Sequence, residues 1–152
     1  ELGASQIWAF PADWSVAKWD GKKLGKKVEK LEKIALGAAE QSKRNHVPSI
    51  TLFEKKADFL AQFDQFDRIV VAYEESAKEG ESAALIQAVA GLEKGDKLLF
   101  IFGPEGGLSP AEVESFQAKG AVLAGLGPRI LRAETAPLYA LSAISVLLEL
   151  KK

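Results

Sequence analysis

IFGPEGGLSPAEVESF, residues 101–116, sets a loop of glycines and a glutamate between two different periodicities. The run LLFIF at 98–102 leads into it, short and apolar without alternation, as in a strand buried on both faces. After the loop, Ser109 is followed by Pro110 and, three positions beyond the serine, by Glu112. That is a capping box with proline at the first helical position, so a helix starts at 110 and Gly120 supplies its C′ residue. The next run, AVLAGL at 121–126, is again a buried strand, and it opens a second loop of the same character, LGPRILRAETAPLYAL at 126–141. Both loops stand where an open α/β sheet presents ligand sites, at the carboxyl edge of its strands.

Working outward, strand and helix signals alternate. Residues 7–10, 50–53 and 68–73 (RIVVAY) read as strands, the last rich in β-branched residues. Residues 26–42 carry Val28, Leu31, Ala35 and Ala38 at the spacing of one helix face. A short amphipathic helix is expected at 57–63 and another helix at 83–89. The last helix, 137–150, is apolar nearly all round, which buries it against the sheet, another subunit or both. This alternation predicts an α/β fold in one domain spanning 1–152, a mostly parallel sheet with helices on both faces. A length of 152 residues suits a single core.

Composition narrows the chemistry. The absence of cysteine removes disulfides, thiolate metal sites and cysteine nucleophiles, and one histidine, His46, cannot build a histidine-rich metal cluster. No apolar run approaches the roughly 20 residues of a membrane span, so no membrane partner is expected and a cytosolic location fits. Net charge is −1, against a protein basic all over, yet residues 1–44 hold nine Lys/Arg and six Asp/Glu. Lys18, Lys22, Lys23, Lys26, Lys27, Lys30, Lys33, Lys43 and Arg44, with Trp14 and Trp19 among them, form either a phosphate-facing surface or a solvated helix face. The chain begins Glu1-Leu2-Gly3 with neither an initiator methionine nor a secretory signal and reads as part of a longer protein.

Three strand exits hold the candidate site: Tyr73-Glu74-Glu75, the loop 103–107, and the loop 127–135. Glycines let a ligand approach the main chain, and the helix start near Ser109 favours an anionic group. A phosphate-binding loop is excluded, because GPEGGLS lacks the Gly-Lys-Ser/Thr ending and sets a glutamate where phosphate would be repelled; GxGxxG is absent too. Glu105, Glu134, Arg129 and Arg132 would singly read as surface ion pairs, but four of them crowded among glycines on adjacent exits point to a site. Metal binding is disfavoured, since arginines compete for the few carboxylates. His46 after a helix reads as a cap or packing residue, and Trp8, Trp14 and Trp19 as base-stacking residues or packing anchors.

On these residues the chain resembles the SPOUT-class RNA methyltransferases, in particular the family that methylates N3 of a uridine in 16S ribosomal RNA. GPEGGLSPAEVESF paired with LGPRILRAETAPLYAL carries the resemblance, and ELG at 1–3 and AAEQSKRNHVP at 38–48 extend it over nearly the whole chain. It implies a C-terminal deep trefoil knot, a rare exception to unknotted connections. It further implies a homodimer through the knot region, S-adenosylmethionine as cofactor without a metal, and the small ribosomal subunit as partner. An N-terminal PUA-like RNA-binding domain, usual in that family, would be missing from this chain.

The resemblance assigns Ala72, Gly103, Glu105, Gly106 and Gly107 to one part of the cofactor pocket and Leu126, Gly127, Ile130, Leu131, Arg132 and Ala136 to the other. Leu126, Ile130 and Leu131 suit a flat adenine, and Glu105 suits a sulfonium. Arg132 and Arg44 are the candidates to stabilise negative charge on the uracil, with Glu105 as a guess for the base. Gln41, Lys43 and Arg44 are expected to contact RNA. Leu108 and Ala133 stand where the family more often has an aromatic residue and a threonine. Two alternatives remain: a methyltransferase acting on another RNA, such as a ribose 2′-hydroxyl of transfer RNA, and a non-catalytic RNA-binding or ribosome-assembly module.

Overall fold

A computed structural model of the chain describes residues 1–16, 20–74 and 83–150; Lys18, Trp19 and Glu75, singled out above, lie outside them. Its elements run β1 (Gln6–Ala9), α1 (Gly21–Gln41), β2 (Ser49–Leu52), α2 (Lys56–Leu60), a 3₁₀ turn at Phe63–Gln65, β3 (Arg68–Ala72), α3 (Ala84–Val89), β4 (Leu98–Ile101), α4 (Pro110–Ala118), β5 (Val122–Ala124) and α5 (Ala136–Ser145), continued by a π-helical turn at Val146–Leu150. The mixed α/β class expected from the alternation is what the chain adopts, and every strand pairing is parallel.

The strands divide into two hydrogen-bonded groups, β1 with β2, and β4-β3-β5 with β3 in the middle. Aromatic packing joins the groups. Phe10, just after β1, stacks on Phe59 at 4.4 Å, and Phe59 meets Phe63 and Phe116 edge-on at 5.0 and 6.0 Å. Phenylalanine rings span the gap that no strand ladder bridges.

Burial on both faces explains the unbroken apolar run of β3. Ile69 and Val71 point into one cluster with Phe59, Phe63, Val113 and Phe116. Val70 points into the other with Leu85, Val89 and Ala124, where Ala143, Ile144 and Leu147 also pack. Alternate side chains of one strand therefore serve opposite cores, with α2 and α4 against one face and α3 and α5 against the other.

Local signals set the element ends. Ser109 accepts from the Glu112 amide and Glu112 accepts from the Ser109 amide, the expected capping box. At the other end of α4, Gly120 has φ +97, and the amides of Gly120 and Ala121 donate to the carbonyls of Gln117 and Phe116, both at 3.0 Å. This is a Schellman closure. The same closure ends α1, where the amides of Lys43 and Arg44 donate to Glu40 and Ala39, but the left-handed residue is Lys43, φ 58. A side chain stands there in a conformation that favours glycine.

Two expectations need correction. Helix α1 starts at Gly21, not 26, because Asp20 caps it by accepting from the Lys22 amide at 3.1 Å. Of its expected apolar face, Ala35 is buried with Ala39, whereas Leu31 is 37% and the neighbouring Ile34 59% exposed. Within one chain the last helix packs Ala143, Ile144 and Leu147 against the sheet, as expected, and leaves Leu138, Tyr139, Val146 and Leu150 exposed.

Candidate functional site

Strand register brings the three exits together. Ala72 of β3 pairs with Ala124 of β5, and Val71 with Ile101, the last residue of β4. The Tyr73 amide still donates to Ala124 at 3.0 Å. All three strands thus end at one level, and the β4-to-β5 connection passes β3 to reach its other side. Loops from neighbouring parallel strands then converge on one cleft.

That cleft has a volume of about 710 Å³, within the ordinary range for small-molecule sites. After β3 it is lined by Ala72, Tyr73 and Glu74; after β4 by Phe102, Gly103, Pro104, Glu105, Gly107 and Leu108; after β5 by Leu126, Gly127, Ile130, Leu131, Arg132 and Ala136. Arg129, Ala133 and Glu134 complete the last loop, Pro110 comes from the start of α4, and Trp14 enters from the segment between β1 and α1.

Glycine is required at two points. Gly127 has φ +79, and a Cβ there would stand 3.0 Å from the Tyr139 hydroxyl oxygen. At Gly103 a Cβ would meet the Leu108 side chain at 3.0 Å and its amide nitrogen at 3.2 Å, so a side chain there would crowd the loop where it folds back on itself. Gly106, expected in the pocket wall, is not among the lining residues. Its missing Cβ makes room for the Trp14 carbonyl, which would lie 3.1 Å away.

Arg44 is separated from Arg132. It lies at the end of α1, half-buried, and its Nη1 donates to the Ala4 carbonyl at 3.2 Å. Arg44 is not a lining residue of the cleft, so within one chain the two arginines do not converge. The nearby His46 Nε2 lies 2.9 Å from the Ser5 carbonyl, and together they tie α1 to the segment before β1. Gln41 and Lys43 are exposed on the same turn. Arg132, in the cleft, is 86% exposed and 3.7 Å from Glu134, itself 78% exposed. Among the described residues no group of three or more His, Cys, Asp or Glu could hold a metal ion, and no helix is long and apolar enough to cross a membrane.

Next in the chain to the lining residues Trp14, Leu108 and Pro110 lies a polar cluster of which the sequence shows only the capping box. The Glu112 side chain is 1% exposed and lies 2.9 Å from Lys56 Nζ. Its Oε1 accepts from the Ser109 amide at 3.0 Å and its Oε2 from the Asp13 amide at 3.1 Å. Asp13 also pairs with Lys56 and accepts from the Ser109 hydroxyl. Hydrogen bonds from Lys56 first and Ser109 second hold the Asp13 carboxyl below its ordinary range, against a smaller opposing effect of burial. Burial pushes the Lys56 ammonium down, but its bonds to Asp13 and Glu112 and their charges outweigh that and raise it. The capping box was legible, whereas Asp13 stands 99 positions from Glu112, and no local pattern announces such a pairing.

The sequence profile of the RNA methyltransferase domain family matches residues 1–145. The chain belongs to that family. It is 54% identical over 150 residues to the ribosomal RNA small subunit methyltransferase E of Bacillus subtilis, covering 99% of this chain and 59% of that protein. Among solved structures, ribosomal RNA small subunit methyltransferase E of Neisseria gonorrhoeae bound to S-adenosylmethionine superposes with a TM-score of 0.76 at 26% identity, over 97% of this chain and 56% of that one. A putative methyltransferase of Legionella pneumophila, also with bound S-adenosylmethionine, gives 0.75 at 26%, over 95% and 56%. The chain thus spans between half and two thirds of the length of these relatives.

Proposed function

We propose that this chain binds S-adenosylmethionine in the three-loop cleft and transfers its methyl group to N3 of a uridine in 16S ribosomal RNA. One observation carries the reading: the cleft is built from the two segments that bear the resemblance, on the carboxyl edge of the sheet, in a chain of the RNA methyltransferase family. The residues present fit the cofactor. Leu126 and Leu131 offer apolar surface to adenine beside main chain left bare at Gly103, Gly107 and Gly127, and Glu105 and Glu134 offer negative charge to a sulfonium. No cationic P-loop lysine is needed for such a ligand.

When bound, the cofactor supplies an electrophilic methyl group. This chain's work is positioning and electrostatics. The β4 and β5 loops would hold the donor and orient its methyl group toward the base. Arg132, exposed and held only loosely by Glu134, is free to turn toward a uracil oxygen and stabilise the charge that develops as the N3 proton leaves. Glu105, exposed at the rim, is the candidate acceptor of that proton. Gln41, Lys43 and Arg44 belong to an RNA-facing surface with the lysines of α1.

The knot and the pairing of two copies through it belong to the same proposal. Apolar side chains left exposed on α5, its π-helical continuation and the loop before it support pairing: Leu138 is 55% exposed, Val146 54%, Leu150 74% and Ile130 79%, and contiguous exposed apolar surface marks interaction sites. The reaction takes place in the cytoplasm, where small subunits are found.

Calorimetry with S-adenosylmethionine and mapping of labelled product on small subunits from a strain lacking the modification test the proposal. N3-methyluridine in 16S ribosomal RNA is expected. Absence of cofactor binding would favour a non-catalytic RNA-binding module, and a methylated ribose would favour a different SPOUT reaction.

A further inference from the structure

Trp14 differs from the rest of the cleft lining. The other lining residues come from the exits of β3, β4 and β5 or the first turn of α4; Trp14 comes from the segment between β1 and α1. Its main chain is fixed on two sides. The preceding residue, Asp13, is held by Glu112, Ser109 and Lys56, and its own carbonyl and Cβ lie against Gly106, where an added Cβ would stand 3.1 and 3.5 Å away. Yet the residue is 50% exposed. A large flat side chain is thus carried into the cleft lining on a fixed main chain, with half of the residue in water, and among the described residues no other aromatic ring packs on it.

Such a ring suits a ligand that brings its own flat face. The adenine of the cofactor has the half-buried Leu126 and Leu131. Trp14 shares the cleft lining with the exposed Ile130, Arg129 and Arg132, and the two arginines suit a ligand carrying phosphates. A nucleobase turned out of an RNA strand brings both a flat face and phosphates, and unstacked bases are recognised on aromatic faces and by their edges.

We propose that Trp14 is a substrate-binding residue whose indole stacks on the target pyrimidine of the RNA as that base enters the cleft, and that the Asp13–Lys56–Glu112–Ser109 cluster and Gly106 position it. This rests on the reading of the cleft as an RNA methyltransferase site and adds the means by which the acceptor base is held.

Three measurements on wild type, Trp14→Ala and Trp14→Phe test it: cofactor affinity by calorimetry, kcat/KM for unmodified small subunits, and quenching of tryptophan emission by a short uridine-rich RNA. Trp14→Ala is expected to lower kcat/KM for subunits roughly 5- to 150-fold, the span that base–aromatic stacking commonly covers, with cofactor affinity within about twofold of wild type. Trp14→Phe keeps most of the transfer rate, since stacking needs an aromatic face rather than an indole, and it loses the RNA-dependent quench. Unchanged kcat/KM in Trp14→Ala overturns the proposal. So does a parallel loss of cofactor affinity in both variants, which would place the ring on the donor. If wild type transfers no methyl group while the RNA quenches its emission and not that of Trp14→Phe, the reading of the reaction fails and the stacking stands.

Discussion

Two sets of charged side chains, one lining the cleft and one at the start of α4, behave oppositely. Asp13, Lys56 and Glu112 are locked: Glu112 is 1% exposed at its side chain and each of its oxygens accepts a hydrogen bond. Arg132 and Glu134 are loose, 3.7 Å apart and more than three quarters in solvent. Desolvated charges tolerate only a fixed arrangement, while exposed ones give up little when they exchange partners. The locked set is scaffold, and the loose set is free to serve a ligand.

The largest effect is expected from breaking the locked set. Lys56→Met leaves Glu112 buried without its cation and should cost about 2–4 kcal/mol in urea unfolding, below the full loss for a buried pair because Lys56 is a quarter exposed. Its pH dependence follows from the shifts. Asp13 is depressed below 3.8, so its contribution is present above that value and fades as pH falls toward its folded pKa; Lys56 is raised above 10.5, so its contribution is complete below that value and fades as pH rises through the folded one. The stability difference between wild type and Lys56→Met should therefore be flat from about pH 5 to 9. A slope within that window would locate the titration elsewhere.

Arg132→Ala probes the loose set. Unfolding stability should move by less than about 0.5 kcal/mol, whereas kcat should fall on the order of 100-fold, as for loss of one charge-stabilising donor. A stability loss as large as that of Lys56→Met would erase the contrast. Gly127→Ala lies between the sets: it forces a side chain into φ +79 beside Tyr139 and should cost about 1–2 kcal/mol while weakening cofactor binding in the same calorimetry. The smallest effect concerns the two matching helix ends. Lys43→Gly, at φ 58, should stabilise by about 0.5–1 kcal/mol by relieving the strain that Gly120 avoids at the end of α4. Destabilisation would mean that the lysine side chain contributes at that turn.

Much of this was legible because it is local. The strand 98–102, the capping box at Ser109 and Glu112, the Gly120 closure and the two glycine loops depend on residues a few positions apart, and the loops that sequence reasoning put in one pocket do line one cleft. Distance along the chain hid the rest. Asp20 caps α1 ahead of the stretch 26–42 that carries the apolar spacing, so the periodicity alone does not reach the helix start. Arg44 reads as an RNA contact beside Gln41 and Lys43, and only the fold shows that it also bonds a carbonyl forty positions earlier. Trp14 was visible as an aromatic residue, and only its long-range anchoring distinguishes it from Trp8, which packs on Phe53 and Phe66 in the core.

The sequence by itself determined the alternation of strands and helices, the glycines that the β4 and β5 loops require, and the family to which those loops belong, because periodicity, capping and backbone freedom act over a few residues. Only the tertiary structure decided that the strands fall into two groups joined by phenylalanines, that Asp13 and Lys56 meet around the buried Glu112, and that Trp14 reaches the cleft while Arg44 does not. Those outcomes are settled by which distant surfaces exclude water together and which buried charges must find partners, and neither condition can be read from neighbours in the chain.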